Sequence, residues 1–152
     1  MKIELNELNI VSFDDKRHFK FVREMSMDKE IKKYLPDSLE IYIMASAADQ
    51  TIENTGAYVI ENKENPIGFV QIFSSFRDTY SINYGLHPKY RNQGYGKMLL
   101  DEVSGYLLDN KCRRVKLNIS DMNTPSIKCA LSSGYNLETV IASCVNVYVK
   151  EK

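Results

Sequence analysis

Apolar positions along this chain follow two rhythms. Residues 3–11 (Ile3, Leu5, Leu8, Ile10, Val11) read as an opening strand. Asp14 then suits the cap of a helix carrying Phe19, Phe21, Val22 and Met25. A short second helix is expected from near Asp28 to before Pro36, with Ile31, Tyr34 and Leu35 inward. A third is expected over residues 38–53, where Leu39, Ile43, Ala47 and Ile52 keep helical spacing. The Met and aromatic residues of this front part (Phe19, Phe21, Met25, Tyr34, Tyr42, Met44) read as core. Strands follow at Ala57–Ile60, at Ile67–Phe73 after a turn over 62–66, and at 79–87. A helix from Gly94 to about Asp109 turns Met98, Leu99, Val103, Tyr106 and Leu107 inward, with Asn110 suited to a left-handed cap. Val115–Ile119 alternates as a strand, Thr124–Ser133 is a helix stopped by Gly134, and strands near 135–141 and 143–149 close the chain. No repeat, low-complexity tract or linker interrupts this order, which predicts one mixed α/β (α+β) domain over 1–152.

Composition narrows the function. With 43% apolar and 26% charged residues in 152, a folded domain with its own core is expected. Twenty basic and twenty acidic residues cancel and no basic block stands out, so neither a nucleic-acid nor an anionic-membrane partner is expected. The acidic N-terminal segment and the absence of a long apolar run make the cytoplasm the expected location. Three cysteines (Cys112, Cys129, Cys144) without a paired spacing imply neither a disulfide framework nor a zinc site; each reads as a small buried hydrophobe. With His18 and His87 the only histidines, no metal is expected.

The chemistry concentrates at Arg91-Asn92-Gln93-Gly94-Tyr95-Gly96, between the apolar strand ending at His87-Pro88 and the helix that runs on from Lys97. Two glycines in a first helical turn each cost about 1 kcal/mol relative to alanine. They allow a ligand to approach backbone N–H groups that have no partner inside the helix and that favour an anion. Strand, short loop, Gly-x-Gly and helix thus suggest a seat for a phosphate or pyrophosphate. The absence of Gly-Lys-Ser/Thr argues against a Walker-type nucleotide site.

This segment matches the Arg/Gln-x-x-Gly-x-Gly/Ala pattern at all three specified positions, and the order of elements around it resembles the GNAT family of N-acetyltransferases. Asn123-Thr124-Pro125-Ser126 through Gly134-Tyr135 looks like that family's later motif: Asn, a small residue three on, then a helix ending in Gly-aromatic. The resemblance is good over residues 55–150, while the first 50 fit by element type alone. It implies a GNAT-like acyl-CoA N-acyltransferase fold, a mostly antiparallel, splayed sheet flanked by helices. It also implies an acetyl-CoA site, the cofactor serving as acetyl donor. Leu86 and His87 would pair with the pantetheine arm. Arg91, Asn92, Gln93, Gly94, Tyr95, Gly96 and Lys97 would hold the pyrophosphate through backbone amides. Asn123 would meet the arm near its reactive end, with Ser126 and its helix alongside. The side chains of Arg91 and Lys97 either meet phosphate or are solvated surface.

The implied reaction moves acetyl to a primary amine, on a small molecule or a peptide, by direct transfer in a ternary complex. Such an amine must lose a proton, and a backbone N–H near Leu86 is placed to steady the oxyanion. The family's usual proton donor, a tyrosine seven positions after the motif asparagine, is here Ala130. Its usual carboxylate bases are replaced by Asn118 and Tyr80. Candidates for proton handling are therefore a water chain positioned by Tyr80, Asn83 or Tyr84, and Tyr148 donating to the thiolate. Cys129 reads as packing, and His87 as a loop residue whose backbone matters. These vacancies keep an alternative open, a CoA-binding sensor or regulatory module without catalysis. The resemblance also admits a homodimer.

Overall fold

The computed structural model describes residues 2–34 and 55–152. The helix expected over 38–53, with Tyr42 and Met44, lies outside them, as does Leu35. Among the described residues the strands are β1 (Lys2–Glu4), β2 (Asn9–Val11), β3 (Thr55–Asn62), β4 (Asn65–Ser75), β5 (Thr79–Leu86), β6 (Arg114–Ser120), β7 (Asn136–Ile141) and β8 (Val145–Glu151). The helices are α1 (Asp15–Met27), α2 (Lys29–Tyr34), α3 (Tyr95–Asn110) and α4 (Thr124–Ser132), with a 3-10 turn at Pro88–Tyr90. The strands form one sheet in the order β1-β2-β3-β4-β5-β6-β8-β7. Every neighbouring pair is antiparallel except β5–β6.

The expected single opening strand is a hairpin, β1–β2. Its turn is held from a distance: the Glu102 carboxylate on α3 accepts the amides of Glu7 and Leu8, each at 2.9 Å. The β3–β4 turn is tight because Lys63 and Glu64 both take positive φ, the geometry that matches strand twist.

Each face of the sheet carries its own apolar cluster. On one, α1 and α2 bury Phe21, Val22, Met25 and Ile31 against Val11, Ala57, Val59 and Phe69. Phe19 departs from the core reading at 40% exposed, because it falls on the outer side of α1. Asp14 caps α1 as expected, accepting the Arg17 amide at 3.0 Å. The buried His18 fixes that end too. Its Nδ1 accepts the Asp14 amide at 2.8 Å, so Nε2 carries the proton and donates to the buried Glu61 at 2.8 Å.

On the other face, α3 buries Leu99, Leu100, Val103 and Leu107, each burial contributing about 1.5–3 kcal/mol. Asn110 is not a left-handed cap. The helix runs through it, and its last turn closes with the amides of Lys111 and Cys112 both donating to the Leu107 carbonyl. α4 ends at a left-handed Gly134 (φ 85°) as the sequence suggests. The Tyr135 amide donates to the Ala130 carbonyl and the Gly134 amide to Leu131, which closes the helix in a Schellman motif. Tyr135 is buried, its hydroxyl bonded to Ser104 of α3.

Candidate active site

The site follows from how β5 and β6 part. They pair in parallel at Thr79–Arg114, Tyr80–Val115 and Ser81–Lys116, and no further. Yet β4 holds β5 as far as Leu86, and β8 holds β6 as far as Ser120. Two strands clamped to other partners thus diverge and leave a cleft of about 670 Å³.

The edge of β5 beside that cleft carries unspent backbone groups. The His87 amide donates to Ile67 of β4 at 2.9 Å, so backbone direction alternates from there. The N–H groups of Leu86 and Tyr84 face away from β4, towards the gap. The Leu86 carbonyl accepts the Arg91 guanidinium at 3.0 Å.

At the cleft's end lies the start of α3. Among the described residues, none of the six amides from Asn92 through Lys97 donates to a protein acceptor; the next, Met98, bonds the Gly94 carbonyl at 3.1 Å. Asn92 (φ 58°) and Gly94 (φ 87°) take left-handed conformations that turn the loop. A Cβ at Gly94 would meet nothing within 4 Å, whereas one at Gly96 would lie 3.1 Å from Cys129 Sγ. Gly94 therefore keeps the mouth open, and Gly96 lets α3 and α4 approach. These residues fit a diphosphate: a run of free N–H groups at a helix N-terminus, with room before it.

Side chains divide by face. Tyr84 and Leu86 point to the α3/α4 side, and Asn83 to the α1/α2 side. The hydroxyls of Tyr84 and Ser126 lie 3.1 Å apart. Burial pushes the Tyr84 phenol well above its ordinary value, against a smaller opposite effect of Ser126. Burial also raises the Cys129 thiol, against the pull of Tyr84 and the Lys97 charge. Both groups thus hold their protons at neutral pH. Asn83 donates to the buried Gln71 at 3.3 Å.

The structure brings together at the cleft Leu86, Arg91, Asn92, Gly94, Gly96, Lys97, Asn123 and Ser126, together with Asn83 and Tyr84. Other expected residues stand outside the lining. Tyr80 and Tyr148 are buried in the core; Tyr80 sits where β5 and β6 are still paired, and the Tyr148 hydroxyl accepts Asn146. Ala130 is fully buried as well, so the position of the usual proton donor does not open into the cleft. The His87 ring stacks on Phe21 (centroids 5.3 Å apart) and bonds Glu24 at 2.9 Å, while its amide and carbonyl are used by Ile67 and Tyr90. The Gln93 side chain bonds the Lys89 carbonyl, and the Tyr95 ring packs edge-on against Tyr90; in both residues the amide is the group left over. Arg91 is spent on Asp28, donating at 2.7 and 3.4 Å, which ties the loop to the α1–α2 junction. Burial alone would raise the Asp28 carboxyl; Arg91 and the amides of Ile31 and Glu30 hold it below the ordinary range instead. Lys97 pairs with Asp101 at 2.6 Å. Of the cysteines, only Cys112 is buried; Cys129 lines the cleft and Cys144 is exposed.

Among the lining residues that the sequence reading missed are the polar Glu30, Tyr34 and Lys128. Tyr34, expected in the core, instead reaches over the gap, its hydroxyl 3.4 Å from the Met122 carbonyl. No local pattern marks such a contact between residues 88 apart.

A family model described as the Acetyltransferase (GNAT) family matches residues 19–135. The chain belongs to this family. It is accordingly an acetyltransferase, and its fold is the GNAT fold. Solved structures agree on the fold. A GNAT acetyltransferase from Bacillus anthracis superposes with a TM-score of 0.82 at 20% identity, over 99% of this chain and 98% of that one. RimL, a ribosomal L7/L12 alpha-N-protein acetyltransferase in complex with coenzyme A, gives 0.80 at 14% identity, over 99% and 98%. The microcin C7 self-immunity acetyltransferase MccE, in complex with acetyl-CoA and AMP, gives 0.77 at 18% identity, over 97% and 93%. No curated protein sequence matches the chain.

Proposed function

We propose that this GNAT acetyltransferase moves the acetyl group of acetyl-CoA to a primary amine, directly, in a ternary complex, with residues 1–152 acting as one domain. The observation that carries the reading is the run of six amides, Asn92 to Lys97, without a partner among the described residues, at the end of the gap between β5 and β6. Those amides suit the donor's pyrophosphate, and the free N–H groups along β5 suit its amide-bearing arm. The neighbours RimL and MccE were solved with coenzyme A and acetyl-CoA. Asn123 and Ser126 flank the arm in this reading.

The amine attacks the thioester carbonyl; the C–N bond forms, the C–S bond breaks, and the amine's proton leaves. The Leu86 N–H faces the gap and serves the oxyanion. Of the proton-handling residues expected from the sequence, Tyr84 and Asn83 line the cleft, one on each face. The Tyr84 phenol, kept protonated, suits delivery to the leaving thiolate, and Asn83 suits a water that takes the amine's proton. Cys129 keeps its proton, so the described lining residues offer no activated thiol for a covalent acetyl-enzyme. The cytoplasm remains the expected location on sequence grounds; among the described residues no helix is long and apolar enough to cross a membrane.

The test is thiol release from acetyl-CoA across a panel of primary amines and short peptides. Amine-dependent release, with acetylated amine recovered, is expected. Acetyl-CoA binding with no release from any amine would favour a sensing module instead.

A further inference from the structure

Charge is divided between the two sides of the cleft. On the α3/α4 side lie Lys97 and Lys128; on the α1/α2 side lies Glu30, the one carboxylate among the described lining residues. Glu30 sits on α2, one turn before Tyr34, whose hydroxyl reaches the Met122 carbonyl and carries α2 over the gap. Among the described residues the Glu30 carboxylate makes no hydrogen bond or ion pair, while its amide donates to Asp28. Its charge is felt by Lys33, whose ammonium lies over the Tyr34 ring, 5.1 Å from the centroid. The other polar side chains on this side are the neutral Tyr34, Asn83 and Asn118, and Arg91, whose charge is paired with Asp28. The anionic donor and a cationic acceptor are therefore offered opposite surfaces of one opening.

We propose that Glu30 selects the acceptor: the substrate is a small amine carrying a second positive charge, such as a diamine or polyamine, and Glu30 holds the ammonium that is not acetylated. The inference rests on the transferase reading. A carboxylate without a hydrogen-bond or ion-pair partner among the described residues favours a charged ammonium over a neutral or anionic group, and the extra charge is bound without entering the chemistry. Glu30 is exposed, so its substitution leaves the fold and donor binding intact.

Wild type and Glu30→Gln are compared with an α,ω-diamine and the monoamine of equal length, by steady-state kinetics and by calorimetric binding to the coenzyme A complex. For the diamine the variant should raise KM by about tenfold or more with kcat little changed. The monoamine kcat/KM should be the same in both proteins, and lower than that of the diamine. If no amine is turned over, a Glu30-dependent diamine affinity in the calorimeter still supports the site while sinking the transferase reading. Equal losses for both amines, no loss for either, or no diamine binding by either method overturns the proposal.

Discussion

The Tyr84 hydroxyl of β5 lies 3.1 Å from the Ser126 hydroxyl of α4, so a phenol enters the cleft from the strand while the helix position expected to supply one is a buried alanine. If Tyr84 delivers the proton to the thiolate, Tyr84→Phe removes the donor and leaves the ring's packing. The kcat should fall about a hundredfold with little change in melting temperature or acetyl-CoA affinity. A fall of less than about threefold in steady-state kcat would take the hydroxyl off the proton path.

Ala130→Tyr does not restore the family's usual donor. Ala130 is fully buried, and a phenol there overpacks the core, at a cost of about 1–3 kcal/mol. Denaturant unfolding should show that loss, and thiol release should not rise. A faster, equally stable variant would contradict this placement.

Gly94 and Gly96 fail differently when substituted. Gly94→Ala puts a side chain into open space at a left-handed residue, costing about 1–2 kcal/mol from the backbone alone. Gly96→Val drives α3 against Cys129 and Leu86. It should raise the acetyl-CoA KM by about tenfold or more, because the amide run shifts with the helix. Equilibrium unfolding and donor kinetics on the two variants separate these outcomes.

The Arg91–Asp28 pair predicts an acid limit. The Asp28 carboxyl is held below its ordinary range, so the pair contributes fully above about pH 4 and is lost as pH falls through the lowered value. Asp28→Asn should cost about 1.5–3 kcal/mol at neutral pH. Melting curves of wild type and variant should converge below about pH 4. A gap that stays constant into acid would show that ionisation of Asp28 contributes nothing. At the alkaline end the buried phenols Tyr84 and Tyr135 have raised values. Their contribution is intact below about pH 10 and fades as pH rises beyond it.

Local signals made half of this site readable in the sequence. Gly94, Gly96 and Pro88 act on their own backbone, and Asn123 with Gly134 brackets a helix; each leaves a mark within a few residues. Long-range placements leave none. The amides of Glu7 and Leu8 are caught by Glu102, 95 and 94 residues away, which turns one expected strand into a hairpin. Tyr80 and Tyr148 looked like candidates because tyrosine is versatile; strand register put them in the core. Glu30 and Tyr34 look like ordinary helix residues until α2 is laid over the gap. Arg91 matches a phosphate-loop pattern, yet its charge is consumed by Asp28, a partner only the fold supplies.

The central claim is that the unpartnered amides beside the β5–β6 gap hold acetyl-CoA. Amide-resolved NMR during an acetyl-CoA titration tests it most directly. The largest shifts should fall on the amides of Asn92 through Lys97, with further shifts at Tyr84 and Leu86, and little change along β1–β3. Saturable binding that leaves those amides unmoved, or no binding at all, would contradict the account.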